Sequence, residues 1–268
     1  MDTQEFNQFI WNYYKDNKRI LPWREIITPY GVVVSELMLQ QTQVPRVLVK
    51  YPEFLVNFPD FESLAQAPFE KLLRVWQGMG YNRRAKYLQQ IAQKIIEEYS
   101  GVVSDNPAVL ETLPGIGPAT ARSIITYIYN KPEIFIETNI RRIYIHHFFS
   151  DASNISDKQL YPFIEKTVDK KNPREWYYAL MDYGTALAKI VENPNRKSKH
   201  YTKQSKFEGS NRQVRGGILK ILLEKEKLTK EDIVVLMNFE RERVYPVLEE
   251  LQNEGFVNEK KGIYTIKT

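Results

Sequence analysis

The sequence predicts an all-α body of two lobes, followed by a smaller module of mixed α+β structure. Apolar residues recur with the period of a helix as far as about Val191. The composition then shifts at Asn193 to a basic stretch almost without aliphatic residues. Beyond that stretch the pattern changes to short helices followed by two short strands. A length of 268 residues suits two or three compact lobes better than one.

The body begins with an amphipathic helix, predicted from Phe6, Phe9, Ile10 and Tyr13 at three- and four-residue spacing. Prolines and glycines fall at the breaks between later helical segments. These segments are predicted over residues 32–43, 63–67, 69–78, 83–99, 108–113, 119–129, 140–149, 157–168 and 174–191.

The basic stretch, called here the strap, covers residues 193–212. It has two interpretations: a solvated linker, or a segment that contacts phosphates and is anchored by His200, Tyr201 and Phe207. Its basic residues, with Arg215 just beyond, are opposed by a single acid, Glu208; they include Arg196, Lys197, Lys199, Lys203, Lys206 and Arg212.

The C-terminal module, residues 213–268, has the pattern of a winged helix. Helices are predicted over residues 214–223, 230–237 and 241–253, with Thr229 as the N-cap of the second. Two strands, Phe256-Val257 and residues 263–266, flank a turn at Lys260-Lys261-Gly262. The segment 211–268 carries 11 basic and 10 acidic side chains. Such a balance suits protein contact as well as DNA contact.

Composition limits the chemistry that the chain can perform. The absence of cysteine excludes disulfides, thiolate nucleophiles and cysteine-held iron–sulfur clusters. The adjacent His146 and His147 cannot share one helix face, so we expect no metal site. A net charge of +5 favours a polyanionic partner slightly. With no apolar run of about 20 residues and no signal-peptide pattern, we expect a cytoplasmic protein without a membrane partner, nucleoid-associated if prokaryotic.

The sharpest local motif is Leu-Pro-Gly-Ile-Gly at residues 113–117, between two predicted helices. Gly115 and Gly117 let backbone N–H groups approach a phosphate, and the following helix, which carries Thr120, adds its dipole. Carbonyls of such a turn often hold a monovalent cation. A hairpin of this kind binds the DNA backbone without reading sequence; the plainer interpretation is a tight interhelical turn.

Several further motifs give the chain a broad resemblance to a known family. They are Leu21-Pro22-Trp23-Arg24, Thr28-Pro29-Tyr30, the helix at residues 35–44, the glycine-rich loop at residues 76–81, the hairpin, and Met181-Asp182-Tyr183-Gly184. Over roughly residues 20 to 190 the chain resembles the helix-hairpin-helix (HhH-GPD) DNA glycosylases, and within them the A/G-specific adenine glycosylases. The resemblance implies a two-lobed glycosylase body over residues 1–192, with a six-helix lobe at about 29–136. The N-terminal helix and about 137–192 would form the second lobe.

The resemblance also implies site residues on the matching positions. Glu36 matches the family's catalytic acid, and Glu137 occupies the position of its catalytic aspartate. One carboxyl would protonate the leaving base while the other, ionised, stabilises an oxocarbenium-like sugar. Gln40, Gln41, Tyr81 and Arg83 would contact double-stranded DNA, and Asn139 would support Glu137. In the strap, Arg196, Lys197 and Lys199 would be further DNA contacts. We expect the protein to bind DNA as a monomer. Gln40 and Gln41 would fill the space of the flipped base, and Tyr81 would wedge at the opposite strand.

Four departures from the family pattern shape the expected function. Glu137 replaces an aspartate, and Ala119 stands where bifunctional relatives carry a Schiff-base lysine, so a monofunctional enzyme is expected. No cysteines follow Gly184 to hold the family's iron–sulfur cluster, which favours the strap as the basic DNA contact. A winged helix stands in place of the domain that recognises 8-oxoguanine.

Three functions remain open on the sequence alone. The leading one is excision of adenine opposite guanine or 8-oxoguanine. A second is excision of thymine or uracil opposite guanine. The third is a catalytically retired DNA-binding scaffold, marked by the change to Glu137 and the missing cluster.

Overall fold

A computed structural model describes residues 1–204 and 206–267. Ser205, within the strap, and Thr268, at the end of the C-terminal module, lie outside the described residues. The described chain is mostly helical with one small C-terminal sheet, which confirms the predicted fold class. The elements in chain order are α1 (Thr3–Asn17), α2 (Pro22–Glu25), α3 (Pro29–Leu39), α4 (Val44–Asn57), α5 (Phe61–Ala65), α6 (Phe69–Trp76), α7 (Arg83–Tyr99), α8 (Pro107–Leu110), α9 (Pro118–Tyr129), α10 (Thr138–Phe148), α11 (Asp157–Thr167), α12 (Pro173–Ile190), a 3-10 turn (Pro194–Lys197), α13 (Asn211–Lys225), β1 (Leu228–Thr229), α14 (Lys230–Met237), α15 (Arg241–Asn253), β2 (Val257–Lys260) and β3 (Ile263–Ile266).

The chain divides into two compact units, each built from two separate segments. Unit 1 comprises Met1–Glu36 and Val102–Lys203, and unit 2 comprises Leu37–Gly101 and Gln204–Thr268. The C-terminal module lies in unit 2, where Arg83 and Lys86 of α7 both bond to Glu254 of the module. The sequence-based division treated the module as separate. The sequence-based domain boundaries stay a prediction.

An aromatic cluster forms the core of unit 1. Phe6 of α1 is fully buried, and its ring lies 5.2 Å from Tyr144, 5.0 Å from Phe148 and 6.2 Å from Trp176. Tilted and edge-on contacts of this kind add to the free energy of burying the rings. The cluster fixes α1 against α10 and α12, the helices that also carry part of the candidate site.

Helix α3 is shorter than predicted, and α4 was missed by the sequence analysis. The predicted helix at 32–43 ends at Leu39, and Gln41 adopts a left-handed conformation with φ of 52°. A new helix starts at Val44 and contains Pro52, a residue that lacks the N–H for the helical ladder. The burial of Val47, Tyr51 and Phe54 along one face outweighs that local preference.

The C-terminal module of unit 2 has the predicted winged-helix elements and one additional strand. Its sheet has the order β1-β3-β2, with both pairs antiparallel; Leu228 faces Tyr264 and Val257 faces Ile266. The additional strand, β1, is two residues long, too short to show a period in the sequence. Val214, Ile218 and Leu222 of α13 are buried in the core of the module.

No helix among the described residues is both long and apolar enough to cross a membrane.

Candidate active site and nucleic-acid interface

Unit 1 brings the partly buried Glu36 and Glu137 together near the buried Ser123. Glu36 lies on α3, Ser123 on α9, and Glu137 is the N-cap of α10. The Ser123 hydroxyl donates to Glu36 Oε2 and also lies 3.0 Å from the carbonyl oxygen of Thr120. A hydroxyl has one proton to share between these two acceptors, which limits how far Ser123 can stabilise an ionised Glu36.

Burial and mutual repulsion perturb both carboxyl groups. Burial raises the pKa of Glu36, and the charge of Glu137 raises it further, against smaller opposite effects of Ser123 and Arg24. Burial also raises the pKa of Glu137. The two groups therefore titrate as a pair, and the pair still holds a proton at neutral pH. Glu137 lies at the positive end of the α10 dipole, which favours its ionised form. The shared proton is therefore expected on Glu36.

Two tyrosines and an arginine stand beside the carboxyl pair. Tyr127 and Tyr178 are buried and stack with ring centroids 5.0 Å apart. After burial, the charges of Glu36 and Glu137 are the next causes that raise the pKa of Tyr127 well above its ordinary value. Arg24 lies 4.3 Å from the centroid of the Tyr178 ring.

Arg24 is held in place by Asp182. Arg24 Nη1 lies 2.9 and 3.0 Å from the carboxylate oxygens of Asp182, and Arg19 adds a bond of 2.6 Å to the same group. A buried carboxylate needs such compensation. The sequence analysis quoted Arg24 and Asp182 as family motifs without giving them roles. It missed Ser123, for which no local signal exists.

Asn139 lies where α10 and α12 approach most closely. A Cβ added at Gly184 would lie 2.7 Å from Asn139 Cβ, so only glycine fits there. The Asn139 side chain accepts a 2.6 Å bond from Arg142 Nη1 and contacts Thr185 Oγ1 at 3.5 Å. Its amide is thus directed toward Arg142 and α12, and support of Glu137 by this amide stays a prediction.

The glycine hairpin has the geometry that its sequence indicates. Gly115 has a φ of 77°, and Gly117 is the N-cap of α9 with open space where a side chain would lie. The amide of Ile116 donates to the Leu113 carbonyl at 3.2 Å and closes the turn. Thr120 lies half-buried in the first turn of α9. Backbone N–H groups at the start of this helix are available to an anion; phosphate and cation binding here stay predictions.

In unit 2, Arg84 joins two loops that the sequence analysis assigned to DNA contact. It is buried, and its guanidinium donates to five backbone carbonyls, those of Leu37 (3.0 Å), Met38 (2.8 Å), Gln40 (2.6 Å), Met79 (3.2 Å) and Gly80 (3.0 Å). Burial lowers its pKa to about 10. Arg84 therefore ends α3 at the Gln40-Gln41 turn and ties that turn to the loop of Tyr81. The sequence analysis gave Arg84 no role.

Arg83 faces the winged helix. Its Nε lies 2.9 Å from Glu254 Oε2, and Arg215 donates to the same carboxylate at 3.0 Å. The Arg83 hydrogen bond is the largest cause that lowers the pKa of Glu254 to about 2. Next to this ion pair, Phe256 is fully buried, 5.5 Å from the Phe69 ring. DNA contact by Arg83, which stays a prediction, would compete with this anchor of the module.

The first part of the strap, in unit 1, is ordered by a buried asparagine. Asn195 Nδ2 donates to the Thr138 carbonyl at 3.1 Å, at the start of α10, and the Ile155 amide donates to the Lys197 carbonyl at 2.8 Å. Arg196 pairs with Glu192 at 2.6 Å, the Lys197 ammonium donates to the Ser150 carbonyl, and the Lys199 side chain is exposed.

The iron–sulfur cluster of the family does not fit this segment. The chain has no cysteine to supply thiolate ligands. Across residues 1–204 and 206–267, no group of three or more histidine or acidic side chains is placed to hold a metal ion. The 3-10 turn at Pro194–Lys197 is instead held by the hydrogen bonds of Asn195 and its neighbours.

Comparison with known proteins identifies the family. The profile described as HhH-GPD superfamily base excision DNA repair protein matches residues 34–170. The chain belongs to this superfamily. An adenine DNA glycosylase from Buchnera aphidicola subsp. Baizongia pistaciae is 33% identical, with 72% of this chain and 56% of that protein aligned. Another from Mycobacterium tuberculosis is 31% identical, with 78% of this chain and 76% of that protein aligned. This HhH-GPD chain thus spans 56% of the length of the Buchnera relative.

Solved structures agree with the family's fold. A thermostable thymine-DNA glycosylase has a TM-score of 0.62 and 26% identity over 68% of this chain and 85% of that one. An endonuclease III–DNA covalent intermediate has a TM-score of 0.59 at 17% identity, over 69% of this chain and 87% of that one. Separately, the profile described as sugar-specific transcriptional regulator TrmB matches residues 217–267, within the winged helix of this HhH-GPD protein.

Proposed function

We propose that this protein is a monofunctional DNA glycosylase of base excision repair that removes a mispaired adenine from double-stranded DNA. The observation that carries the proposal is the partly buried pair Glu36 and Glu137 with Ser123 donating to Glu36; desolvation and mutual repulsion raise the pKa of Glu36. An N-glycosidic bond needs an acid at the leaving base and negative charge near the sugar. A carboxyl pair with separated protonation states supplies both.

The proposed reaction follows from these two roles. The target base, rotated out of the helix, receives a proton from Glu36 at a ring nitrogen as the glycosidic bond breaks. The ionised Glu137 stabilises the positive sugar, and water then attacks it to leave an abasic site. Arg24, fixed by Asp182, adds a positive charge that opposes protonation of Glu36 and so keeps it acidic enough to donate. Ala119 offers no amine for strand cleavage by a Schiff base.

Adenine is the proposed base because the relatives at 31% and 33% identity are adenine DNA glycosylases. Thymine opposite guanine is the second candidate, since the structure at 26% identity is a thymine-DNA glycosylase. The proposal includes Gln40, Gln41 and the hairpin residues as contacts to the DNA. It also includes a monomer acting without a cluster; a cytoplasmic location stays a prediction.

Single-turnover cleavage with the full chain tests the proposal. Duplexes containing A:8-oxoG, A:G, T:G and U:G, with matched A:T and C:G controls, are incubated with excess protein and treated with alkali to reveal abasic sites. Selective cleavage at adenine is expected. This activity should be lost in the Glu36→Gln and Glu137→Gln proteins, provided that they unfold cooperatively and at least as late on heating as the parent. Release of thymine or uracil alone would replace adenine by the second candidate. Duplex binding without release of any base would support the retired scaffold.

A further inference from the structure

The loop of Tyr81 presents an aromatic ring in a strained conformation. Tyr81 has a φ of 47°, in the left-handed region that bulky residues rarely adopt, and its ring is 36% exposed. Such strain persists only where the surroundings impose it, and it occurs most often at functional sites. Arg84, which holds the Gly80 carbonyl, also lies 5.5 Å from the centroid of the Tyr81 ring.

The second part of the strap packs against this ring within unit 2. The Tyr81 hydroxyl accepts hydrogen bonds from the Gln204 side-chain amide and from Arg212 Nη1, the latter at 2.9 Å. The Arg212 guanidinium lies 5.9 Å from the centroid of Tyr81 and 5.7 Å from that of Phe207. Phe207 is 61% exposed, so its ring is open to a partner beside Arg212.

Local hydrogen bonds order this part of the strap. Ser210 Oγ donates to the Phe207 carbonyl at 2.6 Å, and the Gly209 amide donates to Gln213 Oε1 at 2.7 Å. Arg243 of α15 donates to the Gly209 carbonyl. These bonds fix Phe207 and Arg212 beside Tyr81, so this stretch is better described as a built surface than as a solvated linker.

The chemistry of the surface is that of nucleobase recognition. Exposed aromatic faces stack on unpaired or partly unstacked bases, and a guanidinium adds a stacking or hydrogen-bonding plane. An arginine fork matches the O6 and N7 acceptors of guanine, whereas cytosine presents an amino donor at the corresponding edge. A side-chain amide both donates and accepts, so it can also meet a modified guanine edge.

We propose that this surface binds a guanine-type base on the strand opposite the excised base, and that Arg212 contacts its O6 edge; the surface consists of Tyr81, Gln204, Phe207 and Arg212. The inference rests on the proposed function, because both candidate substrates, mispaired adenine and mispaired thymine, share a guanine-type partner. The strap thereby supplies opposite-strand specificity from within this chain. Guanine and 8-oxoguanine share the O6 acceptor, and the experiment separates them.

Equilibrium binding separates the surface from the chemistry. The full-length Glu36→Gln protein, which should not turn over, is titrated with duplexes containing A:G, A:8-oxoG and A:C. Arg212→Lys keeps the charge but removes the fork. We expect it to reduce the preference for guanine-type partners over cytosine about tenfold, from the usual discrimination of a bidentate contact. Arg74→Lys, at an exposed arginine paired with Glu70 on α6, is the matched control and should leave the preference unchanged.

A second variant keeps the aromatic ring of Tyr81 but removes the hydroxyl that bonds to the strap. Tyr81→Phe deletes the hydroxyl that holds Gln204 and Arg212, and should also reduce the guanine preference, by less than Arg212→Lys. A larger Arg212 effect on A:G than on A:8-oxoG would identify guanine as the base read, and the reverse would identify 8-oxoguanine.

Two results would overturn the inference. Equal weakening of binding to all three duplexes would make Arg212 a general backbone contact. Equally tighter binding to all three duplexes would show that the strap competes with DNA for its site. Failure of the proposed function can be distinguished from failure of this inference. If the parent protein releases no base but its guanine preference still depends on Arg212, the proposed base-binding surface is supported and the proposed glycosylase activity is not. If bases are released and the guanine preference does not depend on Arg212, the glycosylase activity is supported and the proposed surface is refuted.

Discussion

Replacing Glu36 by glutamine tests whether the buried acid holds a proton in the folded protein. Glutamine keeps the size and an acceptor oxygen for Ser123 but cannot titrate. Burial and Glu137 raise the pKa of Glu36 above its ordinary value of 4.5. Above about pH 4.5 the unfolded chain has therefore lost a proton that the folded protein still holds. The free energy of unfolding should fall as pH rises from there to the folded pKa. Below that window both states hold the proton and the penalty is absent.

The size of the effect follows from the linkage of protonation to folding. Each pH unit in the window costs about 1.4 kcal/mol for one proton taken up on folding. Between about pH 5 and pH 7 the parent protein should thus lose up to about 3 kcal/mol relative to the Glu36→Gln protein. The Glu36→Gln protein should be the more stable of the two at neutral pH, although it releases no base.

Urea unfolding at several pH values measures this difference. The exposed Glu98→Gln, on α7, serves as the control because its carboxylate meets Lys94 only at 3.9 Å on the surface. Parallel pH dependences in the parent and the Glu36→Gln protein would refute the buried-acid argument. An active Glu36→Gln protein would also refute the role of Glu36 as the acid.

Three further substitutions test the packing around the two loops and the winged helix, each by the unfolding free energy. Arg84→Met should destabilise by more than about 3 kcal/mol, since several buried carbonyls lose their donor, and Arg84→Lys should recover only part; a loss under about 1 kcal/mol would contradict this. Gly184→Ala should destabilise by about 1–3 kcal/mol through the clash with Asn139, whereas Gly216→Ala, where a new Cβ meets nothing within 4 Å, should stabilise α13 by up to about 1 kcal/mol. Glu254→Ala should lower stability by about 1–3 kcal/mol because two arginines lose their acceptor, and this loss should vanish at low pH as the parent's carboxylate protonates; an unchanged unfolding midpoint at neutral pH would contradict the anchoring role.

Local patterns predicted most of the helices and failed where a distant contact decides the backbone. The apolar period of α7 and the caps around α14 can be read from adjacent residues. The end of α3 could not be, because Arg84 takes its terminal carbonyls from 44 to 47 residues further along the chain. Helix α4 was not predicted at all; it contains Pro52, and tertiary burial of one face overrides that local penalty.

The candidate site was predicted in part. Motif positions indicated Glu36 and Glu137, and the hairpin followed from its two glycines. Ser123, which bonds Glu36 from 87 residues away, has no signal of its own because serine is common on helices. For Arg83 the sequence suggested DNA, whereas the structure pairs its side chain with Glu254, 171 residues away.

By itself the sequence determined the helical class, the winged-helix pattern, the absence of thiolate ligands and the phosphate-type hairpin. Each of these depends on residue type or on spacing within a few turns of the chain. Only the tertiary structure decided that Glu36 and Glu137 perturb each other, that Arg84 donates to carbonyls whereas Arg83 pairs with a carboxylate, and which strap residues bond to Tyr81. Charge states and partners depend on desolvation and on distances between residues remote in sequence, and neither quantity is encoded in a local pattern.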